Sequence, residues 1–301
     1  MTEPEYISVK QAAENWGVSE RTVRNYCSNG RIPGAFLTGK TWNIPREAKR
    51  PRRKPAPQRL QRNLLQVLQD EKNAGICGGI YHRLQIDLTY NSNHIEGSKL
   101  THDQTRFIFE TRTIGADGKA ADVDDVIETV NHFRCIDYVI DTANRQMTQT
   151  YIRRLHGMLK AGTKDASLDW FAVGGYKLLP NEVGGLKTAA PEEVGTKIAG
   201  LLKWYSGLDS VGLDEILEFH WRFERIHPFQ DDNGRVGRLI ILKQCLQNDV
   251  VPFVITDDLK AFYYRGLAEY KNEPGYLQGT ALHAQDVFKT YLDEFRIPYR
   301  E

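Results

Sequence analysis

The sequence predicts a mainly α-helical protein of two parts, a small basic N-terminal module and a larger helical domain that carries a β-hairpin. The 301 residues exceed the roughly 100 to 200 that one domain usually holds. Positive charge is concentrated in the first 62 residues, and apolar residues recur at helical spacing over most of the rest. With 41% apolar and 26% charged residues, the composition excludes collagen-like and wholly disordered chains.

Positively and negatively charged residues are distributed unevenly along the chain. Residues 1–62 contain thirteen Lys or Arg and five Glu, a balance of +8, so a whole-chain charge of +1 leaves −7 for the remainder. Residues 46–62 combine three prolines with a dense basic run and have no apolar face, which is typical of an extended linker. We therefore expect an N-terminal domain at residues 1–50, a linker at 51–62 and a main domain at 63–301.

Two short helices are predicted in the N-terminal module. Ile7–Trp16 has an apolar stripe, Gly17 breaks it, and Ser19 can cap a second helix over Glu20–Cys27. This spacing is typical of a helix-turn-helix. Its second helix would present four side chains to a DNA groove, namely Arg21, Thr22, Arg24 and Asn25. The alternative is a small interaction module whose basic face is merely solvated.

Two short strands, around Ala35–Leu37 and Thr41–Pro45, are predicted to form a wing after these helices. Residues 5–50 as a whole resemble the winged helix-turn-helix of the MerR and excisionase type. The resemblance implies DNA contact through the second helix and the wing.

Helical periodicity continues through the main domain. It predicts helices at Leu60–Lys72, Val123–Thr142, Met147–Leu159, Pro191–Leu208, Leu213–Ile226, Arg235–Gln247, Lys260–Tyr270 and Ala284–Phe295. A glycine-rich stretch with alternating apolar residues predicts a β-hairpin flap at about residues 174–188.

The motif HPFQDDNGRVGR, residues 227–238, combines the parts of a phosphate-transfer site. It lies between two predicted helices, so free amide groups at the start of the second can hold an anion. Arg235 and Arg238 share one helix face and can clamp phosphate oxygens. Asp231 offers a hard oxygen ligand to Mg²⁺, and His227 can accept a proton near neutral pH.

The same motif resembles the Fic family pattern HPFx(D/E)GNGRxxR, and the likeness extends over about residues 60–289. The resemblance implies transfer of AMP from ATP, with Mg²⁺, to a hydroxyl side chain. That side chain would belong either to a target protein or to this protein itself. The resemblance also implies that His227 deprotonates the hydroxyl and that Asp231 holds the metal. The remaining motif residues would meet the nucleotide: Asn233 and Gly234 at the α-phosphate, Arg235 at the β-phosphate and Arg238 at the γ-phosphate, with Phe229 anchoring the loop.

Asp232 stands where the family pattern has glycine. An aspartate adds a Cβ and a negative charge beside the anion hole, although it tolerates the left-handed backbone region better than most residues. Directed inward, Asp232 would oppose nucleotide binding or become a further metal ligand. Directed to solvent, it would matter little.

Ser92 and Glu96 form a second constellation, SNHIEG at residues 92–97. It fits the pattern [S/T]xxxE(G/N) of Fic proteins that carry an inhibitory helix. The resemblance implies that Glu96 pairs with Arg238 and that Ser92 steadies this helix, so that ATP binds unproductively. In some relatives this glutamate positions water for the removal of AMP, an alternative that stays open.

Weaker parts of the resemblance concern the pocket rim. Leu178, Leu179 and Val183 of the flap are candidates for pairing with an extended target segment. Tyr263 and Tyr264 are candidates for stacking on adenine, with core packing as the alternative. His220 is expected to be a buried helix residue.

Other features exclude whole classes of protein. No run of about 18 apolar residues predicts a membrane span, and an acidic N-terminus without an apolar segment predicts a cytoplasmic protein. Four dispersed cysteines indicate reduced, buried thiols rather than a zinc site or disulfides. Two rival functions are a nucleotide-sensing DNA-binding regulator and phosphoryl transfer. Homodimer formation and self-modification are two candidate routes to relief of inhibition.

Overall fold

The structure is a computed structural model that describes residues 5–39, 41–51, 62–114 and 121–300. The chain forms two compact units, Met1–Leu60 and Gln61–Glu301, and the boundary between them falls within the predicted linker. Most of that linker lies outside the described residues. In the described ranges, no helix has the length and apolar character needed to cross a membrane.

The N-terminal unit contains two helices and a small sheet. Its elements in chain order are β1 (Tyr6–Ile7), α1 (Val9–Trp16), α2 (Glu20–Ser28), β2 (Phe36–Thr38) and β3 (Thr41–Pro45). The sheet is antiparallel with strand order β1-β3-β2, so β2 and β3 form the predicted wing. Strand β1 was not predicted. Ser8 caps α1 together with Gln11, and Ile7 therefore belongs to the strand rather than to the helix.

The larger unit is mainly helical, as predicted. Its helices are α3 (Leu64–Ala74), α4 (Ile80–Ile95), α5 (His102–Thr111), α6 (Val123–Thr142), α7 (Gln149–Lys160), α8 (Pro191–Ser206), α9 (Leu213–Ile226), α10 (Asn233–Asn248), α11 (Lys260–Glu269) and α12 (Gly275–Glu294). Short 3₁₀ turns lie at Lys164–Ser167 and Asp257–Leu259, and two strands, β4 (Glu182–Val183) and β5 (Leu186–Lys187), complete it.

Helix α10 is the central element of this unit. Thirteen of its sixteen residues are buried, and it packs against α3, α4, α6, α7 and α9. Phe223 of α9, Val236 and Leu239 of α10 and the intervening Phe229 are all fully buried in one apolar cluster. This packing fixes the loop between α9 and α10, which carries the predicted site.

The flap is shorter than the sequence suggested. Only residues 182–187 pair as a hairpin, around the left-handed Gly184 and Gly185. The preceding segment instead binds the α9–α10 loop, because Lys177 donates its backbone N–H to the carbonyl of Pro228 at 2.9 Å. That prediction of a hairpin over residues 174–188 is therefore wrong in its first half.

The cysteine prediction also needs one correction. Cys27, Cys135 and Cys245 are buried thiols as expected, but Cys77 is exposed. It lies in the glycine-containing turn between α3 and α4.

Candidate active site

A cavity of about 610 Å³ opens beside the α9–α10 loop, between the flap, the end of α4 and α11. Among its lining residues are Glu96, Val183, Glu224, His227, Gly234, Arg238, Tyr263, Tyr264 and Leu267. The cavity is large enough for a ligand of nucleotide size. Three residues singled out from the sequence thus line one cavity: His227, Arg238 and Glu96.

His227 lies at the C-terminus of α9 in a left-handed conformation, with φ +51°. Its backbone N–H donates to the carbonyl of Phe223 at 2.9 Å, which closes the helix. Burial and the nearby ammonium of Lys177 lower the pKa of His227 to about 4. The imidazole is therefore neutral at pH 7 and able to accept a proton.

The start of α10 provides an anion-binding backbone. The amides of its first residues have no partner within the helix, and the helix dipole adds partial positive charge there. Both side-chain atoms of Asn233 are used inside the loop: Oδ1 accepts from the N–H of Phe229 at 2.8 Å, and Nδ2 donates to its carbonyl at 2.9 Å. The Asn233 side chain thus fixes the shape of the loop, and it is not among the residues that line the cavity.

Asp232 points neither into the cavity nor to solvent. Its backbone is left-handed, with φ +66°, and its carboxylate is completely buried behind the loop. There it forms an ion pair with Arg235 and lies 3.6 Å from Lys160 Nζ. Burial raises the pKa of Asp232 to about 7, against the opposing effect of Arg235. Neither direction considered from the sequence, toward the nucleotide site or toward solvent, is the one observed.

Both arginines of the motif are paired with carboxylates. Arg235 Nη1 donates to Glu128 Oε2 at 2.5 Å in addition to its contact with Asp232, and its side chain is almost fully buried. Arg238 Nη2 donates to Glu96 Oε1 at 2.6 Å. Arg238 faces the cavity, whereas Arg235 is not among the cavity-lining residues.

The Ser92 and Glu96 constellation reaches Arg238, 142 residues later. Ser92 lies in the last turn of α4, and Arg238 donates to its Oγ at 2.9 Å and to its carbonyl at 3.0 Å. Glu96 follows the helix as its C-cap, so the predicted helix at residues 92–97 ends earlier than expected. A Cβ placed on Gly234 would lie 2.2 Å from Glu96 Oε1, which shows how closely the carboxylate approaches the start of α10.

Asp231 lies at the outer side of the loop, with 57% of its side chain exposed. Burial opposes ionisation, but Lys160 and Arg235 outweigh it and lower the pKa of Asp231. The carboxylate is thus ionised and accessible at neutral pH.

Three residues at this site were missed by sequence reasoning. Lys160 and Glu128 come from α7 and α6, and Glu224 precedes His227 by one turn of α9. No sequence pattern indicates that Lys160 or Glu128 belongs to the site, because a charged residue within a helix is normally exposed to solvent. Glu224 Oε2 lies 3.8 Å from His227 Nδ1, and burial, together with the charge of Glu96, raises the pKa of Glu224 to about 8.

Replacing Glu224 with glutamine is expected to make the free energy of unfolding fall less steeply, or rise more steeply, with pH than it does in the wild type. An unfolded glutamate ionises near pH 4.5, whereas Glu224 stays protonated to about pH 8. Between these values folded Glu224 binds a proton that the unfolded residue has lost, so the contribution of Glu224 to the free energy of unfolding falls as pH rises, by roughly 1 kcal/mol per unit. Urea unfolding at pH 5.5 and 7.5 measures this loss. Glu193→Gln, on the exposed face of α8, should retain the wild-type slope, and an equal slope in Glu224→Gln would contradict the assignment.

The cavity rim differs in detail from the prediction. Tyr263 is buried, and its hydroxyl lies 2.6 Å from Nε2 of His220, which is also buried as expected. Tyr264 is 44% exposed and can offer its ring to a ligand. The predicted flap contacts are exposed as well: Leu178, Leu179 and Val183. Of these three, Val183 alone lies in a strand.

The predicted DNA-contacting residues lie on α2 of the N-terminal unit. Arg21, Arg24 and Asn25 are exposed, and Arg24 forms an ion pair with Glu20 at 2.7 Å. Thr22 is half-buried, and its hydroxyl lies 2.9 Å from that of Ser19. Three of the four side chains are thus exposed, and one of these three, Arg24, is paired with Glu20.

Two family profiles match the sequence of this chain. The Fic/DOC family profile matches residues 146–245, which contain the whole α9–α10 loop, and a helix-turn-helix domain profile matches residues 6–48. The chain contains a Fic domain. It also contains an N-terminal helix-turn-helix domain.

Curated relatives of the Fic-containing chain are named protein adenylyltransferases. This chain is 22% identical over 209 residues to protein adenylyltransferase fic-1 of Caenorhabditis briggsae. The match covers 67% of this chain and 40% of that protein. This chain is also 26% identical over 182 residues to protein adenylyltransferase Fic of Drosophila persimilis, covering 59% of this chain and 34% of that protein. The chain thus spans less than half the length of these relatives.

Solved structures share the Fic fold. A Fic domain containing signaling protein from Bacteroides thetaiotaomicron is 25% identical with a TM-score of 0.57, and the match covers 77% of this chain and 92% of that one. Fic-1 from Caenorhabditis elegans, residues 134–508, is 17% identical to this chain with a TM-score of 0.60. That match covers 77% of this chain and 72% of the other.

Proposed function

We propose that this protein is an auto-inhibited protein adenylyltransferase, which transfers AMP from ATP to a Ser, Thr or Tyr hydroxyl of a target protein or of itself. One observation carries the proposal: His227, the free amides at the start of α10 and Arg238 meet at one cavity of nucleotide size. The names of the curated relatives support the same reaction class.

In the proposed reaction, the target hydroxyl oxygen attacks the α-phosphorus and pyrophosphate leaves. Neutral His227 takes the hydroxyl proton. The amides that begin α10 stabilise the charge on the α-phosphate oxygens, and Arg238 would orient the γ-phosphate. Tyr264 and the flap residue Val183 border the same cavity and are candidates for contact with adenine and with the target. The contribution of the chain is thus mainly positioning and charge stabilisation.

Asp231 is the residue that would hold Mg²⁺. Its ionised, half-exposed carboxylate fits a cation that takes one or two protein oxygens and completes its shell with water and phosphate. Among the described residues no group of three or more His, Cys, Asp or Glu could hold a metal by itself. A bound Mg²⁺ would offset negative charge on the α- and β-phosphates.

Inhibition is proposed to come from Glu96. Its carboxylate pairs with the Arg238 guanidinium that the γ-phosphate would need, and the Arg238 side chain is 4% exposed whereas that of Glu96 is 29% exposed. ATP would then bind without its γ-phosphate held in line. Movement of Glu96 away from Arg238 would release the site.

Incubation of the Glu96→Gly chain with labelled ATP and a mixture of candidate proteins tests the reaction. Label from α-³²P-ATP but not from γ-³²P-ATP should become attached to protein. Label from the γ-position would indicate phosphoryl transfer instead. Loss of pre-attached AMP on incubation with the chain that retains Glu96, without any forward transfer by the Glu96→Gly chain, would identify a de-AMPylase.

A second proposed function, DNA binding, is supported by the helix-turn-helix match and by the exposed basic face of α2. Arg21→Ala combined with Arg24→Ala is expected to weaken binding to mixed-sequence duplex DNA by about tenfold or more and to reduce its salt dependence by about two units of slope. Fluorescence anisotropy over a salt series measures both. Lys197→Ala with Lys203→Ala, on exposed α8 positions, removes the same charge and should bind like wild type. Equal losses in both double variants would contradict a specific role of α2.

A further inference from the structure

Lys160 is a buried cation directly behind the α9–α10 loop. It is the last residue of α7, and its side chain is 2% exposed. Its Nζ lies within 4 Å of four carboxylates: 2.7 Å from Asp165, 2.8 Å from Glu128, 3.2 Å from Asp231 and 3.6 Å from Asp232. Two of these belong to the loop that faces the proposed nucleotide.

The balance of charge around Lys160 is unfavourable to a polyphosphate. Among the described residues, Arg235 is the other cation that forms ion pairs within this group of carboxylates, with Glu128 and Asp232. Four acidic side chains therefore face two basic ones, and one of the four, Asp232, carries only part of its charge at neutral pH because its pKa is raised to about 7. Without Lys160, a single guanidinium would remain among four carboxylates beside the anion hole. Coulomb repulsion of this kind is strong in poorly solvated surroundings.

Lys160 also accounts for the tolerance of Asp232 at the motif glycine position. A buried carboxylate that loses its partner is strongly destabilising, but here it has two cationic partners. The charge that this substitution adds to the loop is thus offset from behind, by a residue of another helix.

The contact with Asp231 connects Lys160 to the proposed metal position. Lys160 Nζ donates to Asp231 Oδ2 from the interior, while more than half of the Asp231 side chain is open to solvent. A resident cation on one side of a carboxylate performs part of the charge neutralisation that a divalent ion would otherwise supply.

We propose that Lys160 is a positioning residue that acts through Asp231 and Asp232 as a resident cation of the nucleotide site, so that nucleotide binding depends less on divalent metal. The inference rests on the proposed function, because it requires that the cavity binds ATP. Lys160 itself is not proposed to touch the nucleotide.

Calorimetry on the full-length Glu96→Gly chain tests this, with a non-hydrolysable ATP analogue as the probe, in EDTA and in saturating Mg²⁺. Adding Lys160→Met should raise the Kd in EDTA by about tenfold, as expected for loss of a nearby unit charge, and the Kd in Mg²⁺ by less than about threefold. Lys164→Met is the matched control, because this lysine is only four residues away but its side chain is 76% exposed. It should change neither Kd by more than about twofold.

A merely structural role of Lys160 would raise both Kd values by the same factor, and that result would overturn the inference. If Lys160→Met alone does not fold, the comparison moves to Asp232→Asn with and without Lys160→Met, where no buried carboxylate at position 232 needs a partner. The same selective loss in EDTA is expected there, and its absence overturns the inference. Failure of the Glu96→Gly chain to bind the analogue even in Mg²⁺ would instead overturn the proposed function and this inference with it.

Discussion

Replacing His227 with alanine in the Glu96→Gly chain is expected to reduce transfer of label from α-³²P-ATP by at least about a hundredfold. The variant lacks the neutral imidazole that would take the proton of the attacking hydroxyl, and Glu224, which lines the same cavity one turn earlier, is mainly protonated at neutral pH because burial raises its pKa to about 8. Initial rates of protein labelling measure the loss.

Binding separates this effect from a general loss of structure. The Kd for an ATP analogue should stay within about threefold of the parent value, because a general base contributes mainly to the transition state. His283→Ala, at an exposed position of α12, should label at the parent rate. Undiminished labelling in His227→Ala would show that another group accepts the proton.

Replacing Glu96 with glycine in the otherwise wild-type chain is expected to raise the labelling rate by about ten- to a hundredfold, the range of a buried ion pair worth one to three kilocalories per mole. The substitution frees the Arg238 guanidinium, which Glu96 holds at 2.6 Å. Labelling rates at equal ATP concentration measure the change.

Ser92 provides the graded comparison for Glu96. Ser92→Ala removes the Oγ contact but leaves the carbonyl bond to Arg238 and the Glu96 ion pair, so a smaller increase is expected. An unchanged rate in Glu96→Gly would argue against inhibition by this contact. If transfer appears only when Asp232→Gly is added, the buried aspartate is what limits the reaction.

Much of the fold could be predicted because local signals agreed with it. The limits of α6 and α9 follow directly from their apolar stripes and flanking caps. Helix α12 begins nine residues before the predicted start, since Gly275 and Gly279 look unlike helix residues although α12 includes both. Helix α4 was missed for a different reason. It buries polar residues, among them Gln85, Thr89 and Asn93, so its apolar periodicity is weak.

The site could be predicted where its residues are contiguous in sequence and not where the fold brings distant charges together. The motif located His227, Asp231 and Arg238, whose positions follow from one loop and one helix. The Asp232 side chain pairs with Arg235 of the motif and also lies 3.6 Å from Lys160, which another helix contributes 72 positions earlier in the chain. Such a pairing leaves no periodic or motif signal in a single sequence.

The tight fit between Glu96 and Gly234 has a consequence for how the protein could respond to the cell. The Glu96 carboxylate occupies space in which even one methyl group would collide, and it is attached to the chain within reach of Arg238. A tethered competitor has a high and constant effective concentration, so a rise in free ATP should displace it only weakly. A signal that moves the end of α4 should therefore activate the protein more effectively than a rise in ATP concentration. The inhibitory contact would respond to a binding or modification event and only weakly to the supply of nucleotide.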